Sequence, residues 1–304
     1  MSAIETILVA MLAGCLRVST PFLFVSLGEC LTEKSGRINL GNEGALVLGA
    51  MVAYAVSYET GNPWAGVLAG AAAGGALGLL HGALCTLARV NDVAMGIAIM
   101  LAGTGIAFFF GKPYVQPSAP QLPSIPLGFW SDVPRIRSAL NVSPLFFLGI
   151  AAAFGLYYLF RSTRMGLRIR IVGDSADAAR ALGLPIERIR LLATAAGSAL
   201  AGIGGAFLSL SYPGSWNEGL SSGQGLMAVA LVVFARWNPL ACIGAALLFG
   251  AAGALGPSLQ TVGITWGYYL FYAAPYVATL VMLIITVAPG RALAGMPGEL
   301  SIGR

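Results

Sequence analysis

The side chains with the most chemical capacity in this chain gather where apolar runs begin. Gly41-Asn42-Glu43-Gly44 opens one such run, with Asn39 just ahead of it, while Asn217, Glu218, Ser222 and Gln224 stand before another. Amides, carboxylates and hydroxyls in these places exchange hydrogen bonds with polar groups. Bond-making chemistry needs more, and no His, Glu and Asp cluster or nucleophile elbow falls at one membrane depth. The sole histidine, His81, lies in a small-residue helix with no second ligand nearby, so it reads as a packed or hydrogen-bonded side chain. Cys15, Cys30, Cys85 and Cys242 fall in apolar segments without CxxC spacing and read as small buried hydrophobes. No metal site and no cofactor are expected in the chain itself.

The elements that must carry these side chains are set by composition. Of 304 residues, 57% are hydrophobic and only 10% charged, and the mean hydropathy is +0.82. A soluble domain carries about 25% charged residues, so this is a polytopic, all-α membrane protein. Its 41 glycines sit inside apolar runs, where small residues let helices approach in lipid. Apolar runs near 5–31, 43–58, 64–88, 92–111, 143–160, 191–211, 222–235, 239–257 and 266–287 predict about nine transmembrane helices, in a range of about eight to ten. If the arginine-rich segment 161–190 is cytoplasmic, thirteen lysines and arginines lie on its side and three on the other, which satisfies the positive-inside rule. That topology accounts for the net charge of +5 without nucleic acid. It places the N-terminus outside and the C-terminus in the cytoplasm, and the first apolar run reads as a retained helix. Residues 1–290 form one transmembrane domain and 291–304 a cytoplasmic tail.

Two loops interrupt the short connections. The external one, 112–142, holds Pro113, Pro117, Pro120, Pro123, Pro126 and Pro134 with Phe129 and Trp130, a composition suited to an ordered extended cap. In the other, Asp174, Ser175 or Asp177 can cap a short helix through Ala178 to Leu182. Gly183 can end it and Pro185 stops any continuation. Asn91-Asp92 is expected to cap the helix that follows. Arg17 and Glu29, 12 residues apart on the first helix, lie about 18 Å from each other along it. Each must face a neighbouring helix. Trp266, Tyr268, Tyr269 and Tyr272 read as an interfacial aromatic belt.

Two units share a pattern. Gly41-Asn42-Glu43-Gly44 leads to an Asn62-Pro63 corner and the helix Ala65 to Gly78, and Ser222-Gly-Gln-Gly225 leads to an Asn238-Pro239 corner and the helix Ala241 to Gly256. With the corners facing opposite sides, this is the arrangement of an inverted repeat.

The segment Leu27 to Gly44, with its Glu33-Lys34-Ser35-Gly36 turn and Asn39-Leu40-Gly41-Asn42-Glu43-Gly44, resembles the permeases of bacterial ABC importers in the ribose and nucleoside branch. Arg164-Met-Gly-Leu-Arg168, Gly173 to Gly183 and Ser198 to Ala206 resemble them too. The resemblance runs from about residue 5 to residue 290 and is greatest to the shorter permease of nucleoside importers. It implies the permease fold of the ribose and vitamin B12 type, and three kinds of partner in a plasma membrane. These are a second, longer permease, an ATPase with two nucleotide-binding cassettes that holds ATP and Mg, and an extracytoplasmic binding protein or lipoprotein. The chain has no G-x-x-x-x-G-K-[ST] loop and is not expected to hydrolyse ATP. The resemblance makes the helix at 174–182 a coupling helix, with Asp174, Asp177, Arg180, Gly183, Glu187, Arg188 and Arg190 at the ATPase contact. Asn39, Asn42, Glu43, Asn217, Glu218, Ser222 and Gln224 are then pathway candidates, suited to the hydroxyls of a ribose or the edge of a base. The alternatives are a simple-sugar permease, an ion-gradient-driven secondary transporter, and a membrane enzyme or assembly subunit.

Overall fold

Long apolar stretches leave a backbone in lipid one economical way to pair its N–H and C=O groups, and the described residues are mostly helical. The computed structural model describes residues 3–87, 90–129, 132–133, 136–137, 140–261, 263, 271, 273–286 and 295–301. Helix α1 (Ala3–Glu33) is followed by α2 (Asn42–Thr60), α3 (Pro63–Leu84) and α4 (Asp92–Gly111). A 3-10 turn (Lys112–Tyr114) starts the proline-rich loop, in which β1 (Ile125–Pro126) pairs antiparallel with β2 (Asn141–Val142). Then come α5 (Pro144–Ser162), α6 (Arg164–Asp174), α7 (Ala176–Ala181), α8 (Ile186–Leu210), α9 (Gln224–Phe234), α10 (Pro239–Gln260), α11 (Ala274–Thr286) and α12 (Gly298–Ser301).

Among the described residues, six helices are long and apolar enough to cross a bilayer: Ile7–Glu33, Pro63–Leu84, Asp92–Tyr114, Pro144–Ser162, Ile186–Leu210 and Pro239–Gln260. Helix α2 has 19 residues but is polar at both ends and enclosed, with Asn42 through Val47 buried. The run expected to cross at 222–235 forms only the 11 residues of α9, about 16 Å at 1.5 Å per residue. Left-handed backbone at Ser222 and Gly223 (φ 47° and 77°) ends the irregular segment before it. Of the run at 266–287, Trp266, Tyr268, Tyr269 and Tyr272 lie outside the described residues, and α11 covers 274–286.

Helix α8 is the centre. It is 67% buried across its most apolar window, against 22–44% for the other five spans. It meets α1 where Gly28 and Gly197 face each other, and an added Cβ on either would overlap the carbonyl oxygen of the other. Phe22, Leu23, Leu27, Leu231, Cys242 and Phe249 form one core around α1, while Phe24, Val47, Tyr54, Phe207 and Trp216 form another around α2 and α8. Local signals set the helix ends. Asn62, Asn91 and Asn238 each accept backbone N–H bonds as N-caps, and proline follows Asn62 and Asn238 at the first helical position.

Where it is described, the first part of the proline-rich loop is held against the helix ends. Tyr54 Oη donates to Pro117 O (2.8 Å), Ser57 Oγ to Pro120 O (2.7 Å) and Leu122 N to Leu210 O (2.9 Å). Trp130 and Pro134 lie outside the described residues. At the opposite end of the bundle the sequence predicts a polar loop before a short helix, whereas the structure has two helices there. Thr163 caps the unforeseen α6, accepting from Gly166 N (3.0 Å). Gly166, Ile169, Val172 and Gly173 of α6 are buried while its arginines remain exposed.

Candidate functional site

The link between α1 and α2 turns back into the bundle because buried polar groups hold it there. Glu29 is 0% exposed, and its Oε1 accepts from Asn39 N (2.9 Å) while Oε2 accepts from Asn42 Nδ2 (2.5 Å). Asn39 Nδ2 donates to Asn42 Oδ1 (3.0 Å) and to Ser198 Oγ (2.8 Å) on α8. Glu33 accepts from Trp237 Nε1. Carboxylates removed from water are costly unless they are bonded in this way. The network draws residues 37–41 inward, so α2 starts inside the bundle rather than at its rim. The Oδ1 atom of Asn39 is buried without a protein partner.

That inward start brings Glu43 against the start of α9. Ser221 Oγ donates to Glu43 Oε1 (2.6 Å) and Gly225 N donates to Glu43 Oε2 (2.5 Å). One carboxylate therefore lies in the first turn of α2 and against the first turn of α9, where unpaired N–H groups and both helix dipoles favour negative charge. Residues 219–223 happen to spell Gly-x-Ser-x-Gly. No strand leads directly into them, and the Ser221 hydroxyl donates to a carboxylate, so they do not form a nucleophile elbow.

Two cavities flank this junction. One, of about 360 Å³, is lined by Glu43, Thr104, Phe108, Glu218 and Ser222 among others. The second, of about 330 Å³, is lined by Arg17, Tyr212, Asn217, Ser222, Gln224 and Tyr276 with an apolar wall that includes Phe22 and Met227. Gly219 and Ser222 border both. Glu43, Asn217, Glu218, Ser222 and Gln224 thus come together around two neighbouring hollows. Asn39 and Asn42, each 1% exposed, lie in the buried network behind them. Arg17, whose guanidinium stacks 5.7 Å above the Tyr212 ring, was legible only as a charge in an apolar helix. Ser221 carried no signal in the sequence, and Ser198 stood there only as the first residue of a segment resembling the permeases.

At the arginine-rich end, Ser175 is the residue that caps α7, accepting from Ala178 N (3.2 Å), and Gly183 (φ +69°) ends it. Asp177 and Arg180 pair at 2.7 Å in the open, with side chains 93% and 71% exposed. Asp174, Arg188, Leu182 and Pro185 are exposed beside them. Glu187 and Arg190 point elsewhere. Glu187 pairs with Arg37 (3.0 Å), which also holds Asp92 (3.1 Å), and Arg190 Nε donates to Ser35 O (3.2 Å). Burial pushes the Lys34 ammonium below its ordinary pKa, and its Nζ donates to Gly295 O (3.0 Å). His81 is 2% exposed in α3. Among the described residues no group of three or more His, Cys, Asp or Glu side chains is placed to hold a metal ion.

Residues 11–288 match the family model described as the branched-chain amino acid transport system / permease component. The chain is 34% identical over 260 residues to a protein of Haloferax volcanii described as a candidate glucose ABC transporter permease, covering 84% of this chain and 79% of that one. It is 30% identical over 307 residues to the guanosine ABC transporter permease NupQ of Bacillus subtilis, with 95% of each chain covered. With the nucleoside ABC transporter permease NupC of Lactococcus lactis subsp. cremoris it shares 27% identity over 314 residues, covering 97% and 96%. A bundle of membrane-length helices, an inward-turned polar link and a family match along nearly its whole length lead to one assignment: the chain belongs to the branched-chain amino acid transport system / permease component family, as a multi-pass permease of ABC transport that works with an ATPase and a substrate-binding partner.

Proposed function

We propose that this chain is the permease subunit of an ATP-driven importer that moves a nucleoside or purine-like solute into the cytoplasm by alternating access. The observation that carries this is the junction at Glu43, where the starts of α2 and α9 meet between two hollows that share Gly219 and Ser222. A solute handed from one hollow to the other needs few, weak contacts, and Asn217, Glu218, Ser222 and Gln224 supply hydrogen-bonding groups without a deep binding site. Relatives described as guanosine and nucleoside permeases, covered nearly end to end, favour a nucleoside. The glucose permease relative, at higher identity, keeps a simple sugar as the second reading.

Support for an inverted repeat comes from the exchange of partners across the centre. Helices α2 and α3 pack on α8, while α9 and α10 pack on α1, and α1 and α8 cross at Gly28 and Gly197. In this reading the chain crosses the plasma membrane about nine times, with its N-terminus outside and its C-terminus in the cytoplasm. A second, longer permease completes the pathway, and a two-cassette ATPase holding ATP and Mg docks at α7. Its contact is the exposed set Asp174, Asp177, Arg180, Leu182 and Arg188, whereas Glu187 and Arg190 support that surface from behind. The exposed Phe129 in the proline-rich loop faces the binding protein.

The test is uptake of labelled nucleosides and ribose into proteoliposomes holding this chain with its co-purifying subunits and binding protein. Nucleoside uptake that requires ATP supports the reading. Ribose uptake alone moves the solute class, and gradient-driven uptake by the single chain defeats the importer reading.

A further inference from the structure

The segment 295–301, read from sequence as part of a cytoplasmic tail, is docked. Glu299 Oε1 accepts from Ala176 N (2.8 Å), the first amide of α7, and Oε2 accepts from Arg190 Nη2 (3.0 Å) at the start of α8. Ser175 caps only the Ala178 amide, so the tail supplies a second N-terminal partner that α7 otherwise lacks. The Glu299 and Arg190 side chains are 21% and 13% exposed, which sets this pair apart from the solvated Asp177–Arg180 pair. Backbone and aliphatic contacts seat the rest of the segment. An added Cβ on Gly298 would overlap the Asp174 carbonyl, one on Gly36 would lie 3.1 Å from Glu299 Cβ, and Met296 packs against the core around α1.

The tail therefore ties three elements together. Arg190 and Lys34 join it to the α1–α2 link, through Ser35 O and Gly295 O. The same link leads through Asn39 and Asn42 to Glu43, whose carboxylate holds Ser221 and Gly225. From α7 to the start of α9 runs an unbroken series of bonded groups. Without the tail, a push on α7 would meet the short connections at Ser175 and Gly183 and the packing of buried Ala179 in the core around α1.

We infer that Glu299 is a positioning residue for transport: the tail clamps α7 to the α1–α2 link, so that displacement of α7 reaches Glu43. This rests on reading α7 as the ATPase contact. Spatial continuity alone does not establish coupling, so the test needs two arms.

The first arm is amide exchange of residues 176–182 in the full chain held in nanodiscs, comparing wild type, Glu299→Gln and Glu299→Ala. The second is uptake per ATP hydrolysed in the reconstituted importer. Glu299→Ala is expected to speed exchange in α7 about tenfold with α1 and α8 unchanged. It should keep ATP hydrolysis within about twofold and lower uptake per ATP on the order of fivefold. Glu299→Gln keeps an acceptor for Ala176 N but loses the charge facing Arg190, so its values should fall between. Unchanged exchange overturns the clamp, and faster exchange with normal uptake per ATP overturns its role in transport. A wild-type importer without ATP-driven uptake defeats the proposed function instead, while the exchange arm still decides the clamp.

Discussion

Glu43 shows how much one side chain can decide in a low-dielectric interior. Its two oxygens serve donors from one segment, Ser221 Oγ and Gly225 N, and removing them strands both. A buried donor left without an acceptor costs roughly 1–3 kcal/mol. Glu43→Ala should therefore loosen the start of α9 and cut ATP-driven uptake about tenfold, with membrane yield little changed. Undiminished uptake would refute the junction as a moving part. Lys34 gives a pH signature. Its ammonium is disfavoured by burial in the native state, so the unfolded chain binds more protons below the ordinary lysine value of 10.5. Stability should rise with pH from the lowered native pKa up to 10.5, and Lys34→Met should flatten that slope in thermal melts.

Elements depend on a few points of approach and termination. At Gly28 and Gly197 the helices α1 and α8 touch backbone to backbone, so Gly197→Leu has nowhere to put its side chain. We expect folded yield after detergent extraction to collapse for that variant. Gly155→Ala, where an added Cβ meets nothing within 4 Å, should keep wild-type yield. At Gly183 the backbone is left-handed and a Cβ meets nothing, so Gly183→Ala costs only the conformational term, about 1 kcal/mol. Proline cannot adopt that φ. Gly183→Pro, or Arg180→Glu beside Asp177, should leave ATP hydrolysis running while uptake falls, and normal coupling in both variants would remove α7 from the ATPase contact.

For the molecule as a whole the division of labour is the point at issue. The sequence holds no Walker-type phosphate loop, and the family assigns ATP hydrolysis to a partner. The purified chain in liposomes should neither hydrolyse ATP nor accumulate solute under a proton or sodium gradient. Accumulation there would make it a secondary transporter. A broad apolar surface, including Leu68, Leu101, Phe109 and Phe154, stays exposed in the single chain, as a helix bundle in lipid requires.

Hydropathy adds up along a chain, so the sequence by itself determined the membrane class and the helical fold, and its motifs carried the family; the extra helix α6 in the segment read as a polar loop it did not foretell. Caps are equally local, which is why the corners at Asn62 and Asn238 and the cap at Asn91 were legible. The six spans and the short α9 were not separable in advance, because apolar content does not reveal where backbone turns left-handed, as at Ser222 and Gly223. Partners of buried polar groups were hidden for another reason. Glu29 meets Asn39 across one turn-back, but Glu43 meets Gly225 across 182 residues and Glu299 meets Ala176 across 123. Only the tertiary structure decided those pairings, since a buried charge must find whichever donor packing brings within reach, and spacing in the chain carries no record of that choice.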